Sequence, residues 1–104
     1  MTTHALPAEV TIYTVGELRG QCLAWMSEAQ ADRDTGGDRW LLDAHAVDQI
    51  DAAGVQLLVA LAHTLSQQGQ PLQLLQPSAA LGEACAALGL TGWLEACTLE
   101  GAVA

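Results

Sequence analysis

The 104-residue chain has no lysine and only three arginines, against twelve aspartates and glutamates, so its formal net charge at pH 7 is −9. A surface with this charge repels phosphate backbones and anionic lipid headgroups. Nucleic acid and acidic membranes are therefore poor candidates for partners, whereas a protein with a basic surface is compatible. The absence of lysine also excludes a Gly-x-x-x-x-Gly-Lys phosphate loop, and with it nucleotide hydrolysis of that type.

Aromatic residues and cysteines are scarce as well. With no Phe, three Trp and one Tyr, the core is expected to consist mainly of Leu, Ala and Val. Cys22, Cys85 and Cys97 are an odd number without close pairing, which is not typical of a disulfide framework and favours a reducing cytoplasm. Cys22 and Cys85 fall within apolar helical patterns, so both are expected to be small buried side chains.

The chain also lacks a long apolar run. Its most apolar segment, residues 52–62, is interrupted by Gln56 and is shorter than the ~20 residues that span a bilayer. The first residues show no basic region followed by an apolar core, so no signal peptide is expected. Because 51% of the residues are hydrophobic, we expect residues 1–104 to fold as a single domain with a modest core.

Three segments have the composition of β-strands. Residues 10–13 combine β-branched and aromatic side chains, residues 40–43 form a short apolar run that ends at Asp43, and residues 72–75 follow a proline. Helical patterns separate these segments. The alternation predicts an α/β fold, with a small mixed, largely parallel sheet of about four strands and three to four helices packed on it.

Apolar residues recur at helical spacing after each predicted strand. A Thr14-x-x-Glu17 capping box predicts the start of the first helix, and a polar loop is expected over residues 32–38. The second helix is expected over residues 53–68, with Gly69 as its stop. The inner faces are expected to contain Leu18, Cys22, Trp25, Met26 and Ala29 in the first helix, and Val55, Leu58, Leu61, Ala62 and Leu65 in the second.

Two shorter helices are expected after the third predicted strand. Ser78 is the predicted N-cap of the first of them, and Gly89 followed by Leu90 indicates a Schellman-type end. A short last helix is expected around Trp93, whose side chain either closes the core or forms an exposed anchor for a partner. The predicted core face of the third helix contains Leu81, Ala84, Cys85 and Leu88.

The most informative stretch is Ile50-Asp51-Ala52-Ala53-Gly54-Val55, where a strand-like segment leads into the second helix. It lies within LDAHAVDQIDAAGVQLL (residues 42–58), which is flanked by VTIYTVGEL (residues 10–18) and QPLQLLQPSAALGEACAALGL (residues 70–90). These three blocks, in this order, resemble the STAS domain family of anti-sigma-factor antagonists. The resemblance implies a non-enzymatic protein-interaction module without a cofactor.

Short bacterial members of that family suggest two kinds of partner. In signalling, the partner is a kinase-type anti-sigma factor or a chemotaxis-associated protein. The alternative is a cytoplasmic STAS subunit of a lipid-transport ABC complex, which binds the ATPase of that complex. Both imply docking by a cytoplasmic protein without membrane insertion, and a homodimer is compatible with the apolar, Trp-bearing C-terminal end.

The resemblance also implies a departure from the family's phosphorylation switch. The family's phosphoacceptor hydroxyl directly precedes the loop glycine, which corresponds to Ala53, or lies one residue earlier, at Ala52. Neither alanine can accept phosphate, and the nearest hydroxyls along the chain belong to Thr64 and Ser66. The loop is therefore interpreted as a docking surface fixed in the unphosphorylated form.

The chemistry of a helix start supports this interpretation. Free amides and a partial positive charge lie there, which a carboxylate such as Asp51 caps, and a glycine permits close backbone approach. The residues predicted to bind the partner are Asp43, Asp51, Ala52, Ala53, Gly54 and Gln56. A simpler interpretation is that Asp51 is only a cap and that the alanines are only helix formers.

Two catalytic or metal-binding alternatives have weaker support. Asp43, His45, Asp48 and Asp51 offer the oxygen and nitrogen ligands of a divalent metal, but their spacing matches no known motif, so no metal is expected. Cysteine–histidine catalysis would need a thiol beside an imidazole. His63 is expected on the polar face of a helix and His4 in a frayed end, so no enzyme activity is expected.

Overall fold

The computed structural model describes residues 3–31 and 40–98, and within this part of the chain it contains five strands and four helices. The α/β prediction is thus confirmed, while the loop expected at residues 32–38 lies outside the described residues. The strands are β1 Thr3–Ala5, β2 Glu9–Val10, β3 Trp40–Asp43, β4 Gln49–Ile50 and β5 Leu72–Leu75. The helices are α1 Val15–Ala31, α2 Ala52–Gln67, α3 Ala79–Ala87 and α4 Thr91–Cys97.

The strands form two small parallel sheets. One has the order β1-β3-β5, and in the other β2 pairs with β4. Thr3 lies opposite Leu41, Trp40 opposite Leu72, and Val10 opposite Ile50. Parallel strands need long crossover connections, and here the crossovers contain α1 and α2. The largely parallel sheet expected from the sequence is therefore confirmed.

The second helix, α2, is the centre of the packing. It contacts α1 and α3 and the strands β2, β4 and β5. The predicted inner face is confirmed, with Ala62 half-buried and the remaining side chains buried. At its end, Gly69 has φ +76°, and the Gln70 N–H donates to the Leu65 carbonyl at 2.9 Å. This is the hydrogen bond of a Schellman motif, which needs the positive φ that glycine tolerates.

The third helix, α3, begins at the predicted N-cap, but it buries fewer side chains than predicted. The Ser78 hydroxyl accepts a hydrogen bond from the Leu81 N–H at 3.2 Å, and the Leu90 N–H donates to the Cys85 carbonyl at 2.8 Å. Both the predicted cap and the Schellman-type end are thus confirmed. The prediction of Leu88 as a core residue is wrong, because α3 ends at Ala87 and the Leu88 side chain is 44% exposed.

The predicted strand over residues 10–13 is correct only at its first residue. Strand β2 ends at Val10, and the next residues form a turn that leads into α1. The Thr14 hydroxyl accepts from the Thr11 N–H at 2.9 Å and donates to the Glu9 carbonyl at 3.1 Å. It thereby stabilises the turn rather than the predicted capping box. As a result Ile12 is 61% exposed and Tyr13 is 90% exposed.

The first strand, β1, was not predicted. His4 was expected in a frayed end, but it lies in β1 and its ring stacks on Trp25, with centroids 4.4 Å apart and planes 12° apart. Trp40 lies 5.0 Å from the same ring. Burial lowers the pKa of His4, although the nearby Glu28 carboxylate opposes that effect. This aromatic contact and the pairing with β3 hold β1 in place.

The remaining core predictions are mostly confirmed. Leu18, Cys22 and Met26 are buried along α1 and Trp25 is half-buried, while the side chain of Ala29 lies outside the described residues. Trp93 is half-buried and packs against the core cluster, which favours its core-closing role. Among the described residues, no helix is long and apolar enough to cross a membrane.

Candidate functional site

The loop between β4 and α2 is built around the Asp51 carboxylate. Asp51 has an extended backbone (φ −123°, ψ −174°) and is the N-cap of α2. Its Oδ1 accepts a hydrogen bond from the Gly54 N–H at 3.0 Å. This bond satisfies one of the free amides at the helix start, so the predicted capping role of Asp51 is confirmed.

The second oxygen of Asp51 connects this loop to a distant part of the chain. Its Oδ2 accepts a hydrogen bond at 2.9 Å from the backbone N–H of Ile12, which lies 39 residues earlier. The pKa of Asp51 is lowered, first by the N–H of Ile12 and then by that of Gly54, because both donors stabilise the charged carboxylate. At neutral pH, Asp51 therefore holds the turn after β2 beside the start of α2.

Gly54 sets the closeness of this contact. The residue is buried, and a Cβ added to it would overlap the carbonyl oxygen of Val10 and lie 2.9 Å from Cγ1 of Ile50. The close backbone approach expected at this glycine is thus present. Because Gly54 is buried beneath the loop, it positions the neighbouring residues, and these form the exposed surface of the loop.

The exposed part of the loop joins small residues to two large apolar ones. Ala52 and Gln56 are exposed, and Ala53 and Asp51 are half-buried. Ile12 and Tyr13 are exposed in the turn that Asp51 holds. We call the set Ile12, Tyr13, Asp51, Ala52, Ala53 and Gln56 the docking surface. Exposed aromatic side chains are typical anchors of protein interfaces, and small residues let a partner approach closely.

Sequence reasoning missed Ile12 and Tyr13 because their composition is that of a strand. The flanking threonines contain the signal that could have identified them. Thr11 and Thr14 are spaced so that one side chain can accept from the backbone of the other, a pattern that favours a turn over a strand.

Asp43, the remaining predicted site residue, forms a separate pair. Its Oδ1 accepts from the His45 N–H at 2.9 Å and lies 2.9 Å from the His45 Nδ1. The backbone hydrogen bond from His45 is the largest cause of the lowered pKa of Asp43. No hydrogen bond or ion pair in the described part of the chain links Asp43 to Asp51. Within residues 3–31 and 40–98, no three His, Cys, Asp or Glu side chains are grouped so that they could hold a metal ion.

The hydroxyl groups nearest to the docking surface in space are not those nearest to it in the sequence. Thr64 and Ser66 are nearest in sequence, but Thr64 lies about three turns along α2 from its start. In space, Thr11 is nearer, because the adjacent Ile12 bonds directly to Asp51. The Thr11 hydroxyl donates to Oε2 of Glu9 at 2.7 Å. A phosphate on Thr11 would therefore meet a carboxylate of like charge.

The thiols lack the features of nucleophiles. Burial raises the pKa of Cys22 to about 11, and it also raises the pKa of Cys85 and of Cys97. Because the thiolate is the reactive form, these three side chains are protonated at neutral pH. His63 is exposed on α2, and no hydrogen bond in the described residues joins a thiol to an imidazole.

Comparison with protein families identifies the family of this chain. A family model described as "Mlab, STAS domain" matches residues 2–99. The matched region includes the docking surface and the nine strands and helices of residues 3–31 and 40–98. No curated protein and no solved structure matches the chain significantly.

Proposed function

Because this chain belongs to the STAS domain family, whose members are generally non-enzymatic modules that bind protein partners, we propose that it is a docking module for signalling. The proposed class is that of the anti-sigma-factor antagonists or of chemotaxis-associated STAS proteins. The partner is then a kinase-type anti-sigma factor or a related signalling protein, bound through the docking surface.

The single observation that carries this proposal is the Asp51 bridge. One carboxylate caps α2 through Gly54 and holds the turn after β2 through Ile12. The bridge places two exposed apolar side chains beside a helix start that carries only small residues. Such a surface is already ordered before binding, which lowers the entropy that docking must overcome.

The alanines in this loop favour a docking surface with one permanent state. A phosphate at residue 52 or 53 would add roughly two negative charges next to Asp51 and would disturb a bound partner. Ala52 and Ala53 have no hydroxyl to receive it. Control of docking then comes from the partner or from the abundance of this chain rather than from phosphate on the loop.

A second candidate role uses the same surface. As a STAS subunit of a lipid-transport ABC complex, the chain would bind an ABC ATPase instead of a kinase-type ATPase. The two roles share the docking chemistry and differ in the fold of the partner, so identifying the contacted protein separates them.

Site-specific photo-crosslinking tests the proposal directly. A benzophenone amino acid replaces Tyr13 or Ala52, and the crosslinked protein is identified by mass spectrometry in cells that express the chain. We expect both positions to crosslink one ATPase, of kinase type for signalling or of ABC type for the second role. We also expect Ala53→Glu to reduce the yield about tenfold or more, since it puts a charge and bulk into the interface.

A matched variant guards against a folding artefact. Ala24→Glu places the same side chain at an exposed position of α1, away from the docking surface, and should leave the crosslinking yield unchanged. Glu at the start of α2 also agrees with the helix dipole, so Ala53→Glu should keep the fold. Equal yields from wild type and Ala53→Glu would refute the proposal.

A further inference from the structure

An open groove of about 620 Å³ runs beside the docking surface, between β4 and α3. Its lining residues are Thr11, Asp48, Gln49, Ile50, Ala80, Glu83 and Ala84. Two of them directly precede members of the docking surface in the chain, Thr11 before Ile12 and Ile50 before Asp51. The groove therefore continues the docking surface toward α3.

The groove has a negative charge that no cation among the described residues compensates. Asp48 and Glu83 are exposed, and neither side-chain carboxylate makes a hydrogen bond or an ion pair in the part of the chain that the structure describes. Arg19, the one arginine among the described residues, lines a different groove between α1 and α2. Because the chain has no lysine and the described residues place no arginine in this groove, a partner with a basic side chain would complement its charge.

The apolar neighbours of the groove define the remaining chemistry. Tyr13 is 90% exposed and Ile12 is 61% exposed, and each offers apolar area for a partner to cover. A side chain of the partner that packs on them lies next to the groove entrance at Thr11. An apolar residue followed closely by an arginine or lysine would match both features at once.

We propose that the docking surface and the groove together receive a basic, apolar segment of the partner protein, with an arginine or lysine side chain between Asp48 and Glu83. This inference rests on the proposed docking function and adds the chemistry of the partner. The charges lie at an exposed rim, so they strengthen binding mainly through the association rate, and salt weakens their effect.

Peptide selection tests this chemistry without a known partner. Short random peptides displayed on phage are selected on the immobilised wild-type chain at about 20 mM NaCl, where charges are little screened. We expect enrichment of peptides that combine arginine or lysine with aromatic or aliphatic residues. The affinity of the best peptide is then measured by calorimetry for the wild type, for Asp48→Asn/Glu83→Gln and for Ala53→Glu.

We expect the groove variant to bind this peptide about tenfold more weakly at low salt, with the difference falling to about twofold in 0.5 M NaCl. Replacing each arginine of the peptide by citrulline, which has the same shape without the charge, should weaken binding to the wild type equally. Glu95→Gln, which removes an exposed carboxylate of α4, is the matched control and should bind like the wild type.

The remaining outcomes overturn the inference in distinguishable ways. If Ala53→Glu abolishes binding while the groove variant binds normally, the docking surface stands and the basic segment is refuted. If neither variant changes the affinity, or if the enriched peptides lack basic residues, the groove is not the site of a cation.

Discussion

At the scale of single residues, Asp51 has two structural roles, and the sequence predicts only one of them. Its position before α2 predicts a cap, and the bond to Gly54 confirms it. The bond to Ile12 is not visible in the sequence, because it joins positions 39 residues apart. Loss of the Asp51 charge is therefore expected to release both the helix start and the turn after β2.

This double role predicts a specific dependence of stability on pH. The hydrogen bonds from Ile12 and Gly54 lower the pKa of Asp51 in the folded state below the value of about 3.9 in unfolded chains. The stabilisation is then fully present above about pH 4 and is lost as the pH falls through the folded-state pKa. Asp51→Asn lacks this ionisation, so its stability deficit relative to wild type should shrink between about pH 4 and pH 2.

Urea unfolding at a series of pH values measures this difference. Asp48→Asn removes a carboxylate that makes no hydrogen bond in the described residues, and it is the matched control. At pH 7, Asp48→Asn should lower the free energy of unfolding by less than Asp51→Asn does. A deficit of Asp51→Asn that stays constant down to pH 2 would contradict the proposed bridge.

At the scale of elements, local signals predicted those parts of the fold that local bonds determine. The helix α2 and the start and end of α3 follow from apolar periodicity, the Ser78 cap and the glycines at positions 69 and 89. The predictions failed for elements whose structure depends on pairing with distant segments of the chain. Strand β1 has only three residues and is held by β3 and the rings of Trp25 and Trp40. No local pattern contains that information.

In the candidate site, too, the sequence predicts the features that local residues determine and misses those that depend on distant contacts. The sequence identified the start of α2 from Asp51 to Gln56, because an N-cap, small residues and a glycine follow one another. It assigned Ile12 and Tyr13 to a strand, because their β-branched and aromatic side chains favour extended structure. The turn that exposes them depends on the Thr14 hydroxyl and on Asp51, and the second of these contacts is non-local.

The packing of α2 on β2 gives a prediction at this scale. Gly54→Ala would place a methyl group against the Val10 carbonyl oxygen, where backbone rather than a flexible side chain has to move. We expect the free energy of unfolding to fall by about 1–3 kcal/mol, the usual cost of overpacking. Displacement of α2 should also weaken crosslinking at Tyr13, since the two loops lose their alignment.

A second glycine provides the control for Gly54. Gly20 lies within α1, and a Cβ there would meet no atom within 4 Å. Gly20→Ala should therefore raise the free energy of unfolding by about 0.5–1 kcal/mol, because alanine restricts the unfolded chain and favours the helix. If α2 packs on β2 as described, chemical denaturation should show that Gly54→Ala lowers the free energy of unfolding while Gly20→Ala raises it. Equal effects would contradict this packing.

At the scale of the whole molecule, the sequence settles the charge and the structure shows its consequences. Twelve acidic residues face only three arginines, and among the described residues the side chains of Asp48 and Glu83 in the groove beside α3 have no basic partner. The contact between Asp43 and His45 is largely exposed and therefore contributes little to stability. The hydrophobic core has to hold the fold together against the mutual repulsion of the surface charges.

This balance predicts how salt affects stability. At pH 7 the net charge of −9 makes the folded state repel itself, and sodium chloride screens that repulsion. The thermal unfolding midpoint should therefore rise by several degrees between about 20 mM and 500 mM salt. Near the isoelectric point of about 4.3 the same addition should have little effect, because the net charge is close to zero. Scanning calorimetry at the two pH values tests this, and a midpoint that falls with salt at pH 7 would show that attractive ion pairs outweigh the repulsion.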